Sequence, residues 1–91
     1  MARNNLSGTI TLGATAQTIQ AAGNIRNGFA FQNVSDADMW VGINVGAAVA
    51  DSPCILIPAG ALYETAPGER VEGLISVICA TTGKKFTAWS W

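Results

Sequence analysis

Short apolar segments recur along this chain about every 8 to 12 residues, with turn-forming residues between them. Within a segment the apolar residues follow a two-residue period: Phe29 and Phe31 fall on one face of a strand, and Gln32 falls on the other. Eight segments have this character, at residues 8–12, 17–20, 28–34, 39–44, 54–57, 61–65, 74–80 and 85–91. The pattern predicts an all-β fold, a compact β-sandwich or jelly-roll-like barrel of about eight short, mainly antiparallel strands.

Turn residues suggest how some of these segments are connected. The segment at 74–80 is apolar on both faces, which is typical of a central strand. Gly83 suits a left-handed turn position, so we predict a hairpin between the last two segments. Polar side chains at 33–38 can cap their own backbone and predict a tight link there. Residues 45–53 fit either a helical turn or a loop.

The length of 91 residues predicts one small domain. We expect residues 1–6 to form an N-terminal arm, which either frays or docks on a neighbour, and residues 7–91 to form a single β-sandwich domain. A domain of this size buries only about 63% of its extended surface. Such a small core is compatible with further stabilisation by a partner surface or by self-assembly.

The charge content excludes several kinds of partner. Only 12% of residues are charged, and the five basic residues are scattered and offset by six acidic ones, so we predict no binding to nucleic acid. No apolar run approaches the roughly 20 residues that cross a bilayer, so we predict no membrane association. The first ten residues lack the apolar segment of a secretory signal, so we expect synthesis in the cytoplasm.

The chain has no histidine, which removes the commonest general base and metal ligand and the usual Ser-His and Cys-His pairs. Asp36 and Asp38 lack the glycine and glutamate that complete an EF-hand calcium loop. We therefore predict that the protein is not an enzyme and holds no metal or cofactor. Cys54 and Cys79 lie in apolar segments, and we expect buried free thiols rather than a disulfide.

Aromatic residues carry the remaining signal. Trp89 and Trp91 fall on one face of the last segment, where they either complete the core or contact another subunit. Trp40 lies on the face opposite the apolar residues of its own segment and is equally open to both interpretations. The candidate partner interface comprises Arg3, Asn4, Asn5, Trp40, Trp89 and Trp91.

Three strings resemble small virion proteins of tailed bacteriophages, namely QNVSDADMWVGI, SPCILIPAGALYET and GLISVICATTGKKFTAWSW. The resemblance covers roughly residues 17–91, and Cys54 and Cys79 depart from it. Its motifs are structural rather than catalytic. The residues that match the first motif are Arg26, Gly28, Phe29, Gln32, Asn33, Ser35, Asp36 and Trp40.

The resemblance implies a structural protein located in the virion. The expected function is that of a capsid decoration (cement) protein, which binds the assembled major-capsid lattice and stabilises it as a homo-oligomer, either trimer or dimer. One alternative is a tail or fibre adaptor or particle-binding component, with tail or fibre proteins as partners. An alternative of another class is a carbohydrate-binding module that uses Trp40, Tyr63 or Trp91 as a stacking platform.

Overall fold

The computed structural model describes residues 4–21, 27–65, 71 and 73–91, and no residue in these ranges is helical. Each of the eight predicted segments contains a strand, and one further strand precedes them, so the all-β prediction is confirmed. The strands are β1 (Asn4–Asn5), β2 (Gly8–Thr9), β3 (Gln17–Gln20), β4 (Phe29–Asn33), β5 (Met39–Ile43), β6 (Ile55–Ile57), β7 (Leu62–Glu64), β8 (Ile75–Cys79) and β9 (Lys85–Ser90). Across the same ranges there is no helix long and apolar enough to cross a membrane.

The strands form two antiparallel sheets. Sheet A has the order β1-β9-β4-β7, and β2 also pairs with β9, so β1 and β2 are successive parts of one edge strand. Sheet B has the order β3-β8-β5-β6, which places β8 in the interior of the sheet as predicted. The pairs are nested along the chain, β5 with β6, β4 with β7, β3 with β8, and β1 and β2 with β9. This nested pairing across two sheets is the topology of a jelly roll.

The predicted hairpin between the last two segments is wrong. Gly83 does take a left-handed conformation, with φ of +87°, but β8 belongs to sheet B and β9 to sheet A. The turn therefore connects the two sheets, and the links after β4 and β6 do the same. Turn residues specify only local backbone geometry, whereas each strand of a jelly roll pairs mainly with strands distant in sequence.

The core fills the space between the inner faces of the two sheets. The rings of Phe31 and Phe86 stack in sheet A with centroids 5.2 Å apart, and Phe29 lies 6.4 Å from Phe31. Sheet B contributes aliphatic side chains from its two central strands, β5 and β8, in which alternate residues point toward the core. Those with no exposed surface are Met39, Val41, Ile75 and Val77.

Both cysteines are buried and free, as predicted. Residues 45–53, which fitted either a helical turn or a loop, form an irregular loop. The Ser76 hydroxyl donates a hydrogen bond to the Gly46 carbonyl at 3.0 Å, and the Val49 amide donates one to the Cys54 sulfur at 3.4 Å. Because Ser76 alternates with the inward-facing residues of β8, these contacts hold the loop against the outer face of sheet B.

Candidate interaction surfaces

Strand β9 and the residue that follows it place two tryptophans, Trp89 and Trp91, on the outer face of sheet A, each opposite a small residue. Trp89 pairs with Ala30, which is only 3% exposed although it points away from the core. One register step further, Trp91 and Gly28 exchange two backbone hydrogen bonds of 3.2 Å. A methyl group on Gly28 would collide with the Trp91 indole, 2.8 Å from its Nε1. Glycine at this position therefore lets the ring lie across the backbone of its own sheet.

Replacing Gly28 with alanine is expected to displace the Trp91 ring and lower the free energy of unfolding by about 1–2 kcal/mol, through overpacking. Urea denaturation measures this cost, and tryptophan fluorescence reports the ring movement. In a Trp91→Ala background the same Gly28→Ala change should cost much less, because the clashing ring is gone. Equal costs in both backgrounds would show that the ring contact is not the cause.

The two tryptophans belong to a broad surface, which we call the sheet A face. Leu62 is 63% exposed there and lies opposite Gln32, and a shallow depression of about 150 Å³ runs between Leu62 and Trp89. Its charged residues are Glu64, which pairs with Ala30 on the side away from Trp89, and Lys85 at the start of β9. The sheet A face consists of Asn5, Ala30, Gln32, Leu62, Glu64, Lys85, Thr87, Trp89 and Trp91.

Trp40 lies on the opposite side of the molecule. In sheet B it is flanked by Leu56 on β6 and Ile78 on β8, and all three side chains point away from the core. Trp40 also lines a cavity of about 390 Å³, which we call the sheet B pocket. The pocket is lined by Ala14, Ala37, Asp38, Trp40, Ala50, Ile78, Cys79 and Ala80.

The residues of the candidate partner interface are therefore divided between two surfaces. Asn4 and Asn5, which fell in the expected arm, form β1 by pairing with Ser90 and Trp89 of the same chain. Trp91 joins them on sheet A, and Trp40 is on sheet B. Arg3 lies outside the described residues. Tyr63, considered as a stacking platform, instead packs against the core.

The two neighbouring aspartates before β5 differ in their surroundings. Lys84 donates a hydrogen bond of 2.5 Å to Asp36, and this bond and the lysine charge lower the pKa of the Asp36 carboxyl. Asp38 makes no ion pair with any residue in the described ranges, although its side chain is exposed beside the sheet B pocket. Within those ranges no three potential metal ligands cluster.

Neither a protein-family model, nor a curated protein, nor a solved structure matches this chain. The function must therefore be argued from the two surfaces themselves. The candidate interface predicted from sequence did not include Leu62, Gln32 or Thr87, which help to complete the sheet A face. Their positions alternate with inward-facing residues, but only the pairing of β4 with β7 and β9 brings them together.

Proposed function

We propose that this protein is a structural protein of a bacteriophage particle, a capsid decoration (cement) protein that binds the assembled major-capsid lattice through the sheet A face. The observation that carries the proposal is the pair of half-buried tryptophans, Trp89 and Trp91, on a broad sheet surface beside the exposed Leu62. Aromatic side chains at the centre of an interface tend to supply most of its binding free energy. Most side chains of this surface are uncharged, which limits the cost of removing water from it.

Two further considerations support a role in a virus particle. Jelly rolls are common in viral capsid domains, although they also occur in lectins and cupins, so this argument is one of fold-level analogy. The sequence strings that resemble phage virion proteins include the end of β4 and all of β5, β6, β7, β8 and β9, which together form most of both sheets. Self-association into trimers or dimers belongs to the same proposal, and native mass spectrometry measures it.

The proposed mechanism is stabilisation by preferential binding. A protein that binds the assembled, expanded shell more tightly than other states of the capsid protein shifts the equilibrium toward that shell. The stabilisation grows with the concentration of the decoration protein relative to its dissociation constant. No bond is made or broken in the partner, which agrees with a chain that has no histidine.

Two exposed leucines provide a matched test of the binding face. Leu62→Ser on sheet A is expected to weaken binding to purified capsid shells at least tenfold, because it removes apolar contact area beside Trp89. Leu56→Ser makes the same chemical change on the outer face of sheet B, where the side chain is 41% exposed, and should leave the affinity unchanged. Co-sedimentation with shells over a range of protein concentrations measures both affinities.

The result that contradicts this proposal is equal binding by the two variants, or no binding of the unaltered protein to shells. Electron microscopy of the particle tests the location. A copy number in proportion to that of the major capsid protein supports a location on the capsid. A small copy number set by tail symmetry would assign the protein to the tail or a fibre. Removing residues 89–91 is a poorer test, because Ser90 is fully buried and paired with Asn4 and Phe29.

A further inference from the structure

The sheet B pocket combines an aromatic wall, an apolar floor and one carboxylate. Trp40 and Ile78 are cross-strand neighbours that point away from the core, and four alanines widen the cavity around them. Its volume of about 390 Å³ falls in the range of small-molecule and side-chain binding pockets. The loop at 45–53, anchored on Ser76, contributes Ala50 to the wall.

The carboxylate of Asp38 lies on the same side of the chain as the Trp40 ring. The two residues are separated by one position in the extended segment that enters β5, so their side chains leave the same face, roughly 7 Å apart along the strand. A planar cation that lies over an indole within about 6 Å of its centre could therefore also reach the carboxylate.

The charges around the pocket leave this carboxylate available. Lys84 pairs with Asp36 rather than with Asp38, and no other cation in the described part of the chain contacts Asp38. The side chain is exposed, so a partner can approach it from solvent. The pocket thus presents negative charge next to an apolar and aromatic surface.

We infer that the sheet B pocket binds an arginine side chain presented by a segment of a partner protein. The aliphatic part of the arginine would pack on Ile78 and the alanines, while the planar guanidinium stacks on Trp40 and donates two hydrogen bonds to Asp38. Arginine fits this combination better than lysine, because its guanidinium is planar and binds carboxylates in a bidentate way. The pocket is on the sheet opposite the sheet A face, so this inference stands independently of capsid binding.

The three tryptophans of the chain provide a direct test by NMR. The whole protein, labelled with ¹⁵N, is titrated at low salt with the blocked peptide acetyl-Gly-Arg-Gly-amide. The control peptide carries citrulline, which has nearly the same shape but no charge. We expect the indole signal of Trp40 to shift and saturate with the arginine peptide, while Trp89 and Trp91 stay unchanged. The arginine peptide should bind about fivefold more tightly than the citrulline peptide.

Two aspartate variants distinguish binding in the sheet B pocket from nonspecific attraction between the charged peptide and the protein. Asp38→Asn should remove most of the difference in affinity between the arginine and citrulline peptides, whereas Asp36→Asn, which removes the same charge two residues away, should leave the arginine-peptide affinity within twofold. Unchanged Trp89 and Trp91 signals verify that each variant remains folded. The inference is overturned by an unresponsive Trp40, by equal affinity for both peptides, or by a Trp40 signal that responds to methyl glycosides and not to arginine.

Discussion

Replacing Asn33 with alanine is expected to lower the free energy of unfolding by about 3–4 kcal/mol, because this fully buried amide satisfies several polar groups at once. Its Nδ2 donates to the carbonyls of Ala37 at 2.6 Å and Ile57 at 2.9 Å. Its Oδ1 accepts from the amide and hydroxyl of Ser35, at 3.0 and 2.6 Å. Since Asn33 ends a strand of sheet A and Ile57 lies in sheet B, the side chain joins the two sheets.

Urea and thermal denaturation measure this effect. For a domain of this size the expected loss corresponds to a fall of about 15–25 °C in Tm. Gln32→Ala is the matched control, because Gln32 is the adjacent amide but is exposed on the outer face of sheet A, and its loss should change stability little. If Asn33→Ala costs no more than Gln32→Ala, the hydrogen bonds of Asn33 do not hold the sheets together.

Asn33→Asp tests the role of the two donated bonds. The variant keeps an acceptor for Ser35 but places an oxygen where the amide nitrogen faced two carbonyls. Burial raises the pKa of such a carboxyl, and only its protonated form can donate to a carbonyl. Its stability should therefore be greatest below the ordinary pKa of aspartate and fall as pH rises through the raised value. A pH-independent stability would contradict this role.

The short-range hydrogen bonds of Asn33 were predictable from sequence. The polar run at 33–38 predicts side chains that bind nearby backbone, and the bonds between Asn33 and Ser35 are of that kind. The bond to Ile57 was not predictable, because it depends on how the two sheets pack. The same limit explains the wrong hairpin, since the turn around Gly83 was located correctly but its flanking strands pair elsewhere.

The two candidate surfaces were likewise predictable from sequence only in part. Alternation along the last segment correctly placed Trp89 and Trp91 on one face of a strand. That the rings lie opposite Ala30 of β4 and Gly28 just before it follows only from the pairing of β4 with β9, which is distant in sequence. The separation of Trp40 from the other two tryptophans also depends on the jelly-roll topology. Strand positions are encoded locally, whereas surfaces are assembled by contacts between distant segments.

Several residues of the motif that resembles phage virion proteins have a structural explanation. Gly28 accommodates the Trp91 ring, and the side chains of Asn33 and Ser35 form a hydrogen bond. Asp36 forms an ion pair with Lys84, which lies in the connection between β8 and β9. The contacts of Gly28 and Asp36 join segments distant in sequence, as a small jelly roll requires, whereas the bond between Asn33 and Ser35 is local. The motif therefore identifies requirements of the fold more directly than it identifies a binding partner.

Replacing Gly13 with alanine is expected to destabilise the protein by about 2–3 kcal/mol, because the added methyl group meets backbone rather than a movable side chain. It would lie 2.5 Å from the Ala80 carbonyl oxygen and 2.9 Å from the Thr82 nitrogen. The surrounding backbone is held in place, since Ala14 donates to the Cys79 carbonyl at 2.7 Å and Gly13 donates to the Thr82 hydroxyl at 2.8 Å. The clash therefore pushes apart the β2–β3 and β8–β9 connections, which these hydrogen bonds hold together.

Gly8→Ala is the matched control for this change. A methyl group on Gly8 would meet only the edge of the Phe86 ring, at 3.3 Å, so urea denaturation should show a cost below about 1 kcal/mol. Equal costs for the two variants would contradict the proposed clash. Because Ala14 and Ala80 both line the sheet B pocket, Gly13→Ala should also shift the Trp40 indole signal. The shape of the sheet B pocket thus depends on the close contact of Gly13 with Ala80, which also stabilises this end of the fold.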